Sequence, residues 1–140
     1  MSESNGPEND QSQLALTFIS HFRVKAGHAD AFRGMWASVA AALETDKPGT
    51  AAYLAFLTDD AGRLTIVHVF PDADAMAAHF AGANFRAAAA YEHIEPAGWE
   101  VYGRPHDADL DHLRSASERA GVPLTWEPEA LGGFLRLAPR

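Results

Sequence analysis

The first patterned stretch of the chain, residues 14–24, alternates between two sets of side chains. Leu, Phe, Ser and Val occupy one set of alternate positions, and Ala, Thr, Ile, His and Arg occupy the other. Because successive side chains of a strand point to opposite faces of a sheet, this pattern predicts a β-strand whose two faces have different surroundings. His21 falls on the more polar face.

The next segment has the spacing of an amphipathic helix. Phe32, Trp36 and Leu43 recur at multiples of three to four residues, which predicts a helix over about residues 28–44 with one buried stripe. A Lys-Pro-Gly turn at residues 47–49 ends this unit.

A hairpin, a second helix and a fourth strand follow. Residues 50–58 and 63–70 are predicted to be strands joined by an Asp-Asp-Ala-Gly turn. Asp72 is placed to cap the second helix, whose alanine-rich continuation is expected to reach residue 91. Residues 98–104 predict the last strand of this series.

The order β-α-β-β-α-β is that of the split βαβ unit, so the predicted fold class is α+β, with a ferredoxin-like sandwich. This domain is expected to span residues 14–104, after a polar, disordered tail over residues 1–13. Residues 105–140 predict an extension that packs on the same domain. It would contain a helix and two short strands, over residues 122–126 and 133–137.

The predicted strands carry apolar residues on both faces. Leu54 and Phe56 lie opposite Tyr53 and Leu57, although the helices of this fold cover only one side of the sheet. A second apolar face requires a partner, and the same face of a second copy is the simplest one. The chain is therefore predicted to form a homodimer.

The amino-acid composition excludes several kinds of site and partner. The chain of 140 residues is 47% apolar, has no cysteine and carries a net charge of −8. Without cysteine there are no disulfides, thiolate metal sites or cysteine nucleophiles, which favours a cytoplasmic location. The acidic balance argues against a nucleic-acid partner, and no apolar run is long enough to span a membrane. The expected partner is a neutral or aromatic small molecule in an apolar pocket.

Four segments carry a resemblance to a known family: FRVKAGH at 22–28, PGT at 48–50, the run from 67 to 85, and VYG at 101–103. Within the third, AHFAGANF at 78–85 stands where the antibiotic biosynthesis monooxygenase family has Ala-His-Leu-x-Ser-x-x-Phe. The chain resembles this family of dimeric α+β barrels over roughly residues 14–104.

The resemblance implies a homodimer with a cavity between the sheet and its helices. Better-known members of the family oxidise quinols or polycyclic phenols with dioxygen and use no metal or flavin. The expected activity is therefore a monooxygenase that needs no cofactor and takes O2 as co-substrate. Ala89 stands where the heme-degrading branch has its iron-ligating histidine, so heme degradation is not expected.

Two histidines are the candidate catalytic residues. His68 lies in the middle of an apolar strand face, where an imidazole is costly unless it is paired or lines a cavity, so it is the preferred base. His79 lies on the apolar face of the second helix and is either a second pocket residue or a packed histidine bonded to a carbonyl; packing is favoured.

Five further residues are candidate substrate contacts: Tyr53, Trp36, Asn84, Phe56 and His21. For the Tyr53 and Trp36 rings, core and interface packing is favoured over stacking on a ligand, because aromatic residues at these spacings are normally structural. Asn84, with Arg86, could orient a substrate oxygen or belong to a solvated helix end. For His21 the dimer interface is the favoured location.

Two other classes of function remain open. The same pocket could serve a non-catalytic binding or sensing protein, or a cyclase or isomerase of polyketide-type substrates that adds no oxygen. A metal site has little support, because no pair of histidines has ligand spacing.

Overall fold

The computed structural model describes residues 15–136 and consists of one five-stranded sheet with four helices. In chain order, the elements are β1 (Leu16–Val24), α1 (Ala29–Asp46), β2 (Ala52–Leu57), β3 (Arg63–Phe70), α2 (Ala73–Phe80), α3 (Ala83–Ala90), β4 (Ile94–Tyr102), α4 (Asp107–Ala120) and β5 (Leu124–Glu127). The predicted tail over residues 1–13 lies outside the described residues. No helix in the described part is both long and apolar enough to cross a membrane.

The sheet has the order β2-β3-β1-β4-β5, with β1 in its centre. β1 pairs antiparallel with both β3 and β4, and β2 pairs antiparallel with β3. This is the strand order of the split βαβ unit, and it confirms the predicted ferredoxin-like α+β fold. β5 then extends the sheet by pairing parallel to β4.

The helices bury one face of the sheet, as the alternation predicts. One core cluster joins Phe18 and Phe70 on the strands to Met76 on α2 and Leu113 on α4. A second cluster packs α1 against the other end of the same face. The opposite face has no helix in the described chain, and Leu54 and Phe56 on β2 are 50% and 57% exposed there.

The second helix does not run unbroken to residue 91. It stops at Phe80, and α3 begins after Gly82, which adopts a left-handed conformation with φ of +81°. Asp72 caps the start as predicted, with its side chain accepting from Ala75 N at 2.8 Å. At the broken end, Lys47 Nζ donates to the Ala78 carbonyl at 2.8 Å and to the Ala81 carbonyl at 3.1 Å, and these bonds stabilise carbonyls at the C-terminal end of α2.

The fourth strand begins at Ile94, four residues before the predicted start. Pro96 and Gly98 are typical of a loop, yet both lie within the strand. His21 pairs with Gly98 and Phe22 pairs with Pro96, so the register of β1 and β4 shifts by one residue between these two pairs. A bulge therefore lets the strand continue past a residue that has no N–H to donate.

The C-terminal extension matches the prediction only in part. α4 and β5 form, and Gly121 ends α4 with φ of +67°. The second predicted strand, 133–137, is wrong over residues 133–136, and residue 137 lies outside the described range. Gly132 and Gly133 have φ values of +117° and +135°, which turn the backbone away from a strand conformation.

Gly103 lies where the ferredoxin-like domain meets the C-terminal extension. Its φ is +110°, and a Cβ there would lie 2.6 Å from Leu16 Cδ2, while its carbonyl accepts from Trp126 Nε1 at 2.8 Å. We expect Gly103→Ala to lower the free energy of unfolding by about 2 kcal/mol, because the new methyl group is strained and clashes with the core. Urea denaturation measures the change.

Gly34→Ala is the matched control, since Gly34 lies within α1 and a Cβ there meets nothing within 4 Å. This variant should be more stable than the wild type by about 0.5–1 kcal/mol. A Gly103→Ala protein as stable as the wild type would contradict the argument.

Candidate functional site

A cavity of about 390 Å³ lies between the helix-covered face of the sheet and the helices. Its floor is formed by inward-facing residues of β1, β2, β3 and β4, and its walls by α2, α3 and α4. Most of the lining is apolar. The polar and charged side chains in it are Ser20, Tyr53, His68, His79, Asn84, Arg86, Tyr91, Trp99, His112 and Arg119.

His68 is buried in the floor of this cavity, and one of its ring nitrogens is already engaged. Its Nδ1 donates to the Phe18 carbonyl oxygen on β1 at 3.0 Å. Since a carbonyl only accepts, this bond fixes the neutral ring with the proton on Nδ1 and a lone pair on Nε2. Burial, assisted by the Arg86 charge, lowers the pKa of His68 to about 4 despite this hydrogen bond.

His79, on α2, contacts His68 edge to face, with the ring centroids 5.1 Å apart. Its Nδ1 lies 2.7 Å from Thr50 Oγ1, in the loop before β2. Burial is the largest cause that lowers the pKa of His79, to about 3, and the charges of His68 and Arg86 act in the same direction. Both imidazoles are therefore neutral at pH 7.

Tyr53, on β2, completes the cluster. Its ring centroid is 5.2 Å from that of His68 and 5.5 Å from that of His79. Burial raises the pKa of Tyr53 to about 12, so the phenol keeps its proton. Trp36 stacks on the tyrosine, with centroids 4.5 Å apart and an interplanar angle of 20°. The cluster thus offers a hydroxyl beside two neutral imidazoles.

Arg86 brings a positive charge to this cluster because of the helix break. Its Nη2 donates to the His79 carbonyl at 2.5 Å and its Nη1 to the Ala81 carbonyl at 3.2 Å. These carbonyls lie at the C-terminal end of α2, where the helix dipole favours a cation. The turn at Gly82 returns α3 toward α2, so that Arg86 reaches this end and also lines the cavity.

The structure brings together four of the residues predicted from sequence. His68, His79, Tyr53 and Asn84 line the one cavity, with Asn84 exposed at its rim. Trp36 lies behind Tyr53 and lines an adjoining space of about 120 Å³. It supports the cluster through the tyrosine and does not line the main cavity.

Phe56 and His21 lie on the opposite face of the sheet, away from the cavity. Phe56 is 57% exposed, and His21 bonds to Glu100 through Nε2. Both are therefore removed from the set of candidate substrate contacts; for His21, the outer face is the side on which the dimer interface was favoured. The reason is the alternation along β1 and β2, which sends Phe22 and Tyr53 inward, and sends His21, Leu54 and Phe56 outward.

Several lining residues were not among the candidate site residues predicted from sequence. Ser20 lies on the buried face of β1, and Trp99 lies across from it on β4. The alternation of β1 could have indicated Ser20, since it is the one hydroxyl in a run of large apolar residues. His112 and Arg119 come from α4, and no sequence signal showed that this helix forms a cavity wall.

Among residues 15–136, no group of three or more histidine, aspartate or glutamate side chains is arranged to hold a metal ion. The densest group of possible ligand side chains in the sequence lies at the start of α4, where acidic residues suit the helix dipole; its members are His106, Asp107, Asp109, Asp111 and His112. His106 Nε2 binds the Asp74 carboxylate at 2.6 Å and so joins α4 to α2.

The sequence model of one family, described as antibiotic biosynthesis monooxygenase, matches residues 16–91. MupZ from Pseudomonas fluorescens has a similar structure, with a TM-score of 0.63 at 17% identity over 86% of this chain and 95% of that one. SnoaB from Streptomyces nogalater, described as a cofactor-independent oxygenase, has a TM-score of 0.55 at 21% identity over 66% of this chain and 94% of its own. No curated protein sequence matches the chain.

The lowered pKa values of the two histidines predict an acid-sensitive fold. The unfolded chain has histidine pKa values near 6.5, whereas folded His68 and His79 have values of about 4 and 3. Below pH 6.5 the unfolded state therefore binds more protons, and the free energy of unfolding falls as the pH drops toward 4. For His68 alone we expect a loss of about 2–3 kcal/mol between pH 7 and pH 4.5.

Urea denaturation of wild type and His68→Asn at several pH values measures this loss. The asparagine amide can still donate to the Phe18 carbonyl but does not titrate, so the variant should show a shallower loss of stability. Gly34→Ala, which removes no titratable group, should keep the wild-type slope. Parallel pH curves for wild type and His68→Asn would contradict the assignment of a neutral, buried His68.

Proposed function

The chain belongs to the antibiotic biosynthesis monooxygenase family, and we propose that it oxidises an aromatic or quinol-type small molecule directly with dioxygen, without a cofactor. One observation carries the proposal: His68 is neutral, its Nδ1 is held by the Phe18 carbonyl, and its Nε2 lone pair is available in a largely apolar cavity. The fold shared with SnoaB, an oxygenase described as cofactor-independent, supports it.

The reaction begins with removal of a proton. His68 Nε2 accepts the proton of an acidic phenol, or of a ring methylene next to an aromatic ketone. Because the pKa of His68 is about 4, this transfer is unfavourable by itself, and the irreversible reaction of the anion with O2, which begins with transfer of one electron, draws it forward. Arg86, beside the two imidazoles, stabilises this anion. The apolar lining excludes water, which strengthens that interaction.

For a ring methylene, the remaining steps convert the CH2 group to a ketone. The substrate radical and superoxide combine to form a C–O bond, and the peroxide takes the proton held by His68. Loss of water from the C–O–O–H group, with the second methylene proton, leaves a ketone. The substrate gives up four electrons, one oxygen atom enters the product, and the other leaves as water.

Oxygen-electrode assays on a panel of anthrones and naphthoquinols test the proposal. We expect His68→Asn to lower kcat/KM by about 10²–10⁴-fold, because it removes the base and keeps the donor to Phe18. His106→Asn should retain the wild-type rate. Mass spectrometry should show one added oxygen in the product.

The outcomes separate the candidate functions. Unchanged turnover in His68→Asn would remove His68 from the mechanism. A ligand that raises thermal stability and is recovered unaltered would favour a binding or sensing protein. A product without added oxygen would favour a cyclase or isomerase.

We also propose that the outer face of the sheet forms a homodimer. Leu54 and Phe56 are exposed there, and the half-buried Val67 and Val69 lie beside them on β3. Water contact with such a face is unfavourable, and the same face of a second copy would cover it.

Light scattering coupled to gel filtration tests the dimer. The wild type should elute with twice the monomer mass, and Phe56→Glu should shift it to monomer, because a carboxylate would be buried in the interface. Phe85→Glu is the control, since Phe85 is 85% exposed on α3, on the helix side of the sheet. A monomeric wild type would disprove the proposal.

A further inference from the structure

Among residues 15–136, the side chains that line the main cavity carry positive charge and no negative charge. Arg86 and Arg119 are both in the lining, and no aspartate or glutamate of this range is. The whole chain, in contrast, has 19 acidic and 11 basic residues. A concave, largely apolar surface with charges of one sign attracts ligands of the opposite sign. The overall charge of −8 therefore does not describe the surface that a ligand meets.

Arg119 has no carboxylate within ion-pair distance among residues 15–136. It lies beside Tyr91, where burial raises the pKa of the phenol and the Arg119 charge opposes that rise. Arg114, on the same helix, is different: it lies 3.5 Å from Asp111 and over the Trp126 ring. One arginine of α4 is thus engaged in packing, while Arg119 is exposed at the rim of the cavity.

Arg119 lies toward the Phe22 end of the cavity floor, and His68 lies toward the Phe18 end. Tyr91, beside Arg119, contacts Phe22, with ring centroids 6.2 Å apart. His68 bonds to Phe18, four residues earlier on the same strand. At about 3.3 Å per residue, these two points on β1 are about 13 Å apart. An extended ligand can therefore meet the imidazoles at one end and the guanidinium at the other.

We propose that the substrate is an aromatic acid, whose carboxylate binds Arg119 while its reacting ring lies against His68 and His79. The inference rests on the proposed function for the reaction at the ring, and it adds the substrate class. A planar carboxylate matches the two parallel donors of one guanidinium. A phosphate fits less well, because Arg119 is in the last turn of α4, where no free backbone N–H groups are available to bind it.

Anaerobic binding of two matched probes tests the inference. 6-Hydroxy-2-naphthoic acid and 6-hydroxy-2-naphthamide have the same two rings, with the hydroxyl at one end and the acid or amide at the other, and differ only in charge. Isothermal titration calorimetry measures the affinity of each. The wild type should bind the acid about tenfold tighter or more. Arg119→Gln should abolish this preference, and Arg119→Lys should keep part of it.

Arg114→Gln is the control on the same helix and should preserve the preference for the acid. Equal affinity for acid and amide in the wild type, a preference that survives in Arg119→Gln, or no binding of either probe would each overturn the inference. Circular dichroism confirms that each variant is folded. Because no oxidation occurs in this experiment, its result is independent of the oxygen-electrode assays that test the proposed function.

Discussion

The pairing of β1 with strands on both sides is the constraint on which the rest of the structure depends. The register with β3 and β4 fixes which side chains of β1 face the helices, and it places Phe18 opposite His68. A slip of one residue would turn every inward side chain of the strand to the other face. The core, the cavity floor and the hydrogen bond to His68 all require this one register.

The chemistry of the site depends on the groups that surround the two buried imidazoles, those of His68 and His79. A histidine on an apolar face is tolerated because the Phe18 carbonyl satisfies one nitrogen, and burial then keeps the ring uncharged. Arg86 adds a positive charge and forms no ion pair within residues 15–136, since its partners are the carbonyls at the end of α2. Neutral bases next to an uncompensated cation form a site suited to making and holding an anion.

The C-terminal extension contributes directly to this site. The family match ends at residue 91, yet α4 supplies a wall of the cavity through residues spaced along one helical face. Leu113 on that face is also part of the core. The same helix that packs the extension onto the sheet thus also lines the cavity and brings Arg119 to its rim.

The sequence by itself determined the order of the elements, the two faces of each strand and the candidate status of His68. These features follow from local periodicity, because alternation and helical spacing are properties of neighbouring residues. It overlooked the break at Gly82 and the bulge that carries β4 past Pro96, since contacts with distant residues decide both. The sequence also did not predict the charge of the cavity lining. Net charge is a sum over the whole chain, whereas the field at a site depends on which few side chains the fold brings together there, and only the tertiary structure decided that.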